Sequence, residues 1–102
     1  LRYYWQPPHV LTDQACLNSL EDLVDKLTNL HVFQWRLTGF RDPDRRIERR
    51  PLEEGAERWR RFIKAADRGG DRYAYLEFVR GDDPGQLRAD WTTFKSVLSR
   101  LL

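Results

Sequence analysis

The sequence holds one cysteine, Cys16, and no methionine in 102 residues. A single thiol excludes an internal disulfide framework and a cysteine-rich zinc site. No hydrophobic run nears the roughly 18 residues that a membrane span needs. The opening stretch, residues 1–8, lacks the apolar core of a secretory signal. These absences point to a reducing, cytoplasmic setting. Charge of one sign is also missing: 18 basic residues face 16 acidic ones, for a net +2. That balance lacks the basic excess of a nucleic-acid binder. No Gly-rich phosphate loop, serine nucleophile elbow or zinc-protease helix motif occurs. Because the chain starts with Leu and lacks Met, it is expected to belong to a longer product.

What is present is aromatic and arginine-rich. Trp, Tyr and Phe make up 13% of the chain, and 15 of the 18 basic residues are Arg. Three similar units follow one another, over 1–30, 31–70 and 71–102. The first opens with an extended aromatic run stopped by Pro7 and Pro8. Thr12 or Asp13 caps a helix whose stripe is Leu17, Leu20, Leu23, Leu27 and Leu30. The second opens with a strand over 31–37, followed by a polar loop over 38–50. Pro51 then starts a helix with Leu52, Ala56, Trp59, Phe62, Ile63 and Ala66 on one face. Gly69 and Gly70 end it. The third opens with the clearest strand, 73–79. Asp82 or Asp83 caps its helix, with Pro84 at the first turn and Leu87, Trp91, Phe94, Leu98 and Leu101 as the stripe.

The order βαβαβα implies an α/β fold with a parallel sheet. Right-handed crossovers between neighbouring strands place all three helices on one side of it. Alternation assigns Tyr3, Trp5, His31, Phe33, Trp35, Tyr73, Tyr75 and Glu77 to the bare side. Ala74, Leu76 and Phe78 fall on the helix side. A bare aromatic face of this size calls for cover, by more chain or by a second copy. The closed solution for sequential βα units is the eight-fold barrel, of which three units are less than half.

Four segments in order, 4–9, 30–35, 50–59 and 75–79, resemble the last three βα units of xylose isomerase-like TIM barrels. These are the sugar phosphate isomerases and epimerases, relatives of the abasic-site endonucleases. The resemblance covers nearly the whole chain, and no single motif within it is specific. It implies the C-terminal part of a (β/α)8 barrel that isomerises or epimerises a small sugar, sugar acid or polyol derivative. In such sites a divalent metal polarises the substrate and carboxylates on either side of a carbon move its proton. Carried over by position, Gln6 and His9 take the Asp and His places of the sixth strand. His31 takes the metal-binding His place of the seventh and Gln34 the acidic place after it. Glu77 takes the catalytic Glu place of the eighth.

The resemblance thus makes Glu77 the acid/base, and His31 with Glu77 metal ligands for Mn, Mg, Zn or Co. Gln6, His9, Gln34, Trp5, Trp35 and Arg36 become substrate contacts. Two places depart from the pattern, because Gln6 and Gln34 replace carboxylates and an amide brings no charge to a cation. The fifth-strand Glu lies outside the chain, so little or no turnover is expected from these residues alone.

Each residue also has a plainer reading. Glu77 forms an ion pair with Arg36 or Arg80, His31 is a hydrogen-bonded core histidine, and His9 is a loop residue. Trp5 and Trp35 pack in the core, as does Cys16. The five Arg and three acids over 41–50 make a solvated, salt-bridged loop. Two rival functions follow: a non-catalytic α/β module that self-associates through its exposed sheet face, and, more weakly, a relative of the abasic-site endonucleases. The expected partners are a small sugar-like substrate and either a second copy or a missing N-terminal part of a barrel. Membrane and nucleic acid are not among them.

Overall fold

A computed structural model describes residues 3–8, 12–38, 46–67 and 73–100. The chain is a mixed α/β fold. Its elements are β1 (Tyr3–Trp5), α1 (Asp13–Leu23), β2 (Leu27–Val32), β3 (Gln34–Thr38), β4 (Arg46–Arg50), α2 (Ala56–Ala66), β5 (Tyr73–Leu76) and α3 (Pro84–Ser99). Strands β1, β2 and β5 form a parallel sheet in the order β1-β2-β5. Strands β3 and β4 form a separate antiparallel hairpin.

Local chemistry sets the helix starts. The Thr12 hydroxyl accepts from the Ala15 N–H at 3.2 Å, and the Asp83 carboxylate accepts from the Gln86 N–H at 3.0 Å ahead of Pro84. Each side chain satisfies an amide that the first helical turn leaves without a partner. A short 3-10 turn, Leu52–Gly55, leads into α2. Leu52, Trp59, Phe62, Ile63 and Ala66 are buried there, as the spacing predicts. α1 packs on α2 and α2 on α3. One core joins Cys16 and Leu20 of α1, Trp59 and Phe62 of α2 and Phe94 of α3 to Trp5, Leu30 and Val32 of the sheet. The other face of the sheet carries no helix among the described residues.

Five expectations need correction. The helix of the first unit ends at Leu23, and a 3-10 turn, Val24–Lys26, leads into β2. Leu27 and Leu30 are therefore strand residues: they continue the leucine spacing, but Thr28, Asn29 and Val32 between and after them favour strand or turn over helix. Second, the strand expected over 31–37 is broken at Phe33. The indole N–H of Trp59 donates to the Phe33 carbonyl at 2.8 Å, which turns the chain out of the parallel sheet and into the hairpin. Third, residues 46–50 are strand and not loop. Leu37 faces Ile47, and Arg36 faces Glu48 with two hydrogen bonds of 3.0 and 2.9 Å. Cross-strand pairs of this kind stabilise a hairpin even where the sequence lacks apolar alternation.

The fourth correction concerns the faces. β1 shifts register between Tyr3 and Tyr4. Trp5 therefore lies level with Leu30 on the helix-covered face, and Tyr4 shares the open face with His31. The fifth concerns the last unit. β5 stops at Leu76, and Phe78 has a φ of 51°, so it does not continue the strand toward the helices. In α3 the inward residues are Asp90, Phe94 and Val97, while Leu87, Trp91 and Leu98 are exposed. The positions Gly69, Gly70 and Leu101 lie outside the described residues, as do 41–45 of the arginine-rich stretch.

Candidate functional site

His31 and Glu77 meet on the open face. His31 is the next-to-last residue of β2, and Glu77 directly follows β5. The two strands are parallel neighbours, with His31 level with Tyr75. The Glu77 N–H continues the ladder by donating to the Val32 carbonyl at 3.0 Å. The Glu77 carboxylate thus reaches the imidazole from the next strand, with 2.7 Å between His31 Nδ1 and Glu77 Oε2. Both side chains are partly exposed, at 20% and 32%. The pair is therefore shielded and still open to a small molecule.

Aromatic rings frame it. Tyr4 stacks on the His31 ring at 4.7 Å, and Tyr75 meets the ring edge-on at 6.0 Å. Beyond Glu77, the chain turns through Phe78, Gly81 and Asp82, all at positive φ. Phe78 is a bulky residue in a region that side chains rarely adopt. Phe33 packs edge-on against its ring at 5.1 Å, and the Arg49 guanidinium lies over the ring at 5.4 Å. Arg49 also donates to Asp82 at 2.7 Å, so one arginine ties this turn to the hairpin at two points.

The remaining candidates lie in other surroundings. Gln34 is buried: its amide donates to the Trp35 carbonyl at 3.4 Å and accepts from Arg58 at 3.4 Å. It presses so closely on Gly55 that any Cβ there would overlap its amide. Trp35 lies under the Arg58 guanidinium at 4.6 Å, and Arg36 is paired with Glu48. Trp5 is in the core, with its indole donating to Ser19 at 2.9 Å. Gln6 is half-buried just past the end of β1. His9 lies outside the described residues. Glu77 has His31 as its partner, in place of the Arg36 or Arg80 that the charge pattern suggests.

Electrostatics elsewhere are structural. Hydrogen bonds from Arg36 and then Arg50 hold the Glu48 carboxyl below the usual glutamate range. Burial, and then the charge of Asp13, push the Cys16 thiol up, with Arg58 opposing. Cys16 is a buried free thiol that packs in the core.

A divalent ion needs more donors than this site brings together. Among the described residues, no group of three or more His, Cys, Asp and Glu side chains is arranged to hold one. His31 Nδ1 and Glu77 Oε2 are engaged with each other, and the Gln34 amide is enclosed by Gly55 and Arg58. Of the donors that the resemblance implies, the described residues bring together His31 and Glu77, and His9 lies outside them. These two form a hydrogen-bonded imidazole–carboxylate pair walled by tyrosines. Tyr4, which the sequence reading does not single out, joins the pair because it lies one step of alternation from the buried Trp5.

No family model, no curated protein and no solved structure matches the chain. Among the described residues, no helix is long and apolar enough to cross a membrane.

Proposed function

We propose that the chain is the C-terminal three-unit part of a sugar isomerase/epimerase-type barrel, and that Glu77 moves the proton of a small sugar or sugar acid. One observation carries the reading: an imidazole and a carboxylate 2.7 Å apart at the C-terminal ends of two adjacent parallel strands, on the face without helices. In a closed βα barrel that face points inward, and the C-terminal strand ends are where such folds place their chemistry. Glu77 takes the proton from the carbon beside the substrate carbonyl. His31 donates Nδ1–H to the Glu77 carboxylate, fixing its orientation, and leaves Nε2 to meet a substrate hydroxyl. Tyr4 and Tyr75 present ring faces and edges to the apolar patches of a sugar.

Turnover needs an opposing carboxylate, but proton exchange needs one base. The test is deuterium uptake at the carbon beside the carbonyl, followed by NMR for a panel of aldoses, ketoses and uronic acids in D2O. Uptake is expected for at least one of them. It should fall by a factor on the order of 100 or more in Glu77→Gln, the usual scale of a lost general base. Equal uptake in Glu77→Gln, or none across the panel, would overturn the reading. The exposed tyrosines Tyr4, Tyr73 and Tyr75 favour a second reading, a non-catalytic module that associates through the open face.

A further inference from the structure

Among the described residues, both layers have an open edge at the same end. In the sheet, β5 pairs with β2 on one side and has no strand on the other among the described residues. In the helix layer, α3 is likewise the last member. It uses three sides differently. Asp90, Phe94 and Val97 point into the core, and Ala89, Thr93 and Ser96 line the groove toward α2. Leu87, Trp91 and Leu98 form a third stripe, 45%, 49% and 37% exposed. At about 100° per residue this stripe faces away from α2. Packing among the described residues leaves it about half exposed, on the helix that packs against β5.

The opposite edge is complementary. β1 has no strand on its outer side among the described residues, and it runs parallel to β5 within the same sheet. α1 covers that end of the core and contains Asp13, Glu21 and Asp22 but no Lys or Arg. Asp13 is taken by Arg58 and Arg61 of α2, which leaves the exposed Glu21 and Asp22 for an outside partner. The α3 stripe is flanked by exposed Arg88 and Lys95, and the Lys95 ammonium lies over the Trp91 ring at 5.9 Å.

We propose that the β5–α3 edge docks the β1–α1 edge of a second copy of this chain, head to tail. β1 of the incoming copy adds to β5 as a fourth parallel strand, using backbone groups that are otherwise unpaired. Its α1 lies over Leu87, Trp91 and Leu98, with Glu21 and Asp22 facing Arg88 and Lys95. Trp91 is the anchor, since exposed tryptophans in a covered patch carry a large share of interface energy. The contact joins two different surfaces, so each added copy presents a fresh β5–α3 edge, and the assembly grows until a ring closes. In a ring the open sheet faces, with their His31–Glu77 pairs, turn toward a common interior. The proposal does not depend on the chemistry assigned to that pair, and it fills with second copies the two sheet edges that further units of a longer barrel chain would otherwise occupy.

Head-to-tail contact has a signature that symmetric contact lacks. Trp91→Glu spoils one edge, and the double change Glu21→Lys with Asp22→Lys spoils the other. All three positions are exposed, so both variants should keep the wild-type circular dichroism, and Leu87→Glu replaces Trp91→Glu if that variant does not. Light scattering at micromolar concentration should show wild-type assemblies larger than one chain, with each variant monomeric. Mixing the two variants should restore dimers and nothing larger, because each keeps one intact edge and only one productive pairing exists. A monomeric wild type, a Trp91→Glu that still assembles, or a mixture that stays monomeric would each overturn the proposal.

Discussion

The two faces of the parallel sheet are both rich in aromatic and apolar residues and differ in kind. The covered face and the helices above it hold Trp5, Trp59 and Phe62, with ring centroids 5.2 to 6.2 Å apart in edge-on contact. The only polar atoms these rings bring are two indole N–H groups, and each is satisfied, by Ser19 and by the Phe33 carbonyl. The open face holds Tyr4, Tyr73 and Tyr75 around an imidazole–carboxylate pair. Every ring there ends in a group that water or a polar ligand can meet. A buried polar atom must find a fixed partner, whereas a tyrosine hydroxyl at an open surface does not. The difference separates a face built for stability from one built for contact.

Truncation sets the comparison at its sharpest. Trp59→Ala should remove about 3–5 kcal/mol of stability, the usual cost of deleting a large buried aromatic. Tyr73→Ala on the open face should stay within about 0.5 kcal/mol. Urea unfolding measures both. Comparable losses would mean that the open face is covered in solution, and the contrast between the faces would fall.

Asp90 comes next. It is buried on α3, where it accepts from the Leu52 N–H at 3.0 Å and from the Gln86 amide at 2.8 Å, fastening the entrance of α2 to α3. Asp90→Ala leaves the Leu52 N–H buried without its acceptor and should cost about 1–3 kcal/mol. Asp90→Asn, whose amide oxygen still accepts, should recover most of it. Equal losses for both would show that the charge matters rather than the acceptor.

Gly55→Ala should cost a comparable or smaller amount, about 1–3 kcal/mol, because the new methyl displaces the Gln34 amide. Thermal melts will show whether the additional change Gln34→Ala relieves it. If it does not, the close approach at Gly55 is not the cause.

The smallest effect belongs to pH. The Glu48 carboxyl lies below its ordinary value of about 4.3. Its contribution is therefore complete above that value and is lost as pH falls through the lower folded one. Amide hydrogen exchange of the β3–β4 hairpin should rise selectively in that acid range, while the core of α2 stays protected. The rise should vanish in Glu48→Gln. A rise that is uniform over the chain would assign it to general acid unfolding.

The parts legible in the sequence are those carried by local signals. Thr12, Asp83 and Pro84 mark helix starts by their own chemistry, and the spacing of Trp59, Phe62, Ile63 and Ala66 gives the buried side of α2. His31 and Glu77 also stand out singly, as polar groups in apolar strands. Their pairing does not, because it depends on which strands become neighbours. Leu27 and Leu30 mislead because helix and strand can share the same leucines where no Gly or Pro separates them. Alternation misassigns Trp5 because the extra residue, Thr28, sits on β2 and brings Leu30, in place of His31, onto the face that Trp5 shares. Strand β4 is hard to read because its partners, Arg36 for Glu48 and Leu37 for Ile47, appear only once β3 lies opposite.

The hydrogen bond from Trp59 to the Phe33 carbonyl also orders events in folding. The hairpin is local and can close on the microsecond scale of such units. Its angle to the parallel sheet is fixed by an indole 26 residues further along the chain. The junction between the two sheets therefore waits for α2 to dock, and a contact of that sequence separation is slow to reach. Trp59→Phe keeps most of the buried ring but removes the donor, so its mark should fall on how quickly the hairpin locks into place rather than on whether the hairpin forms.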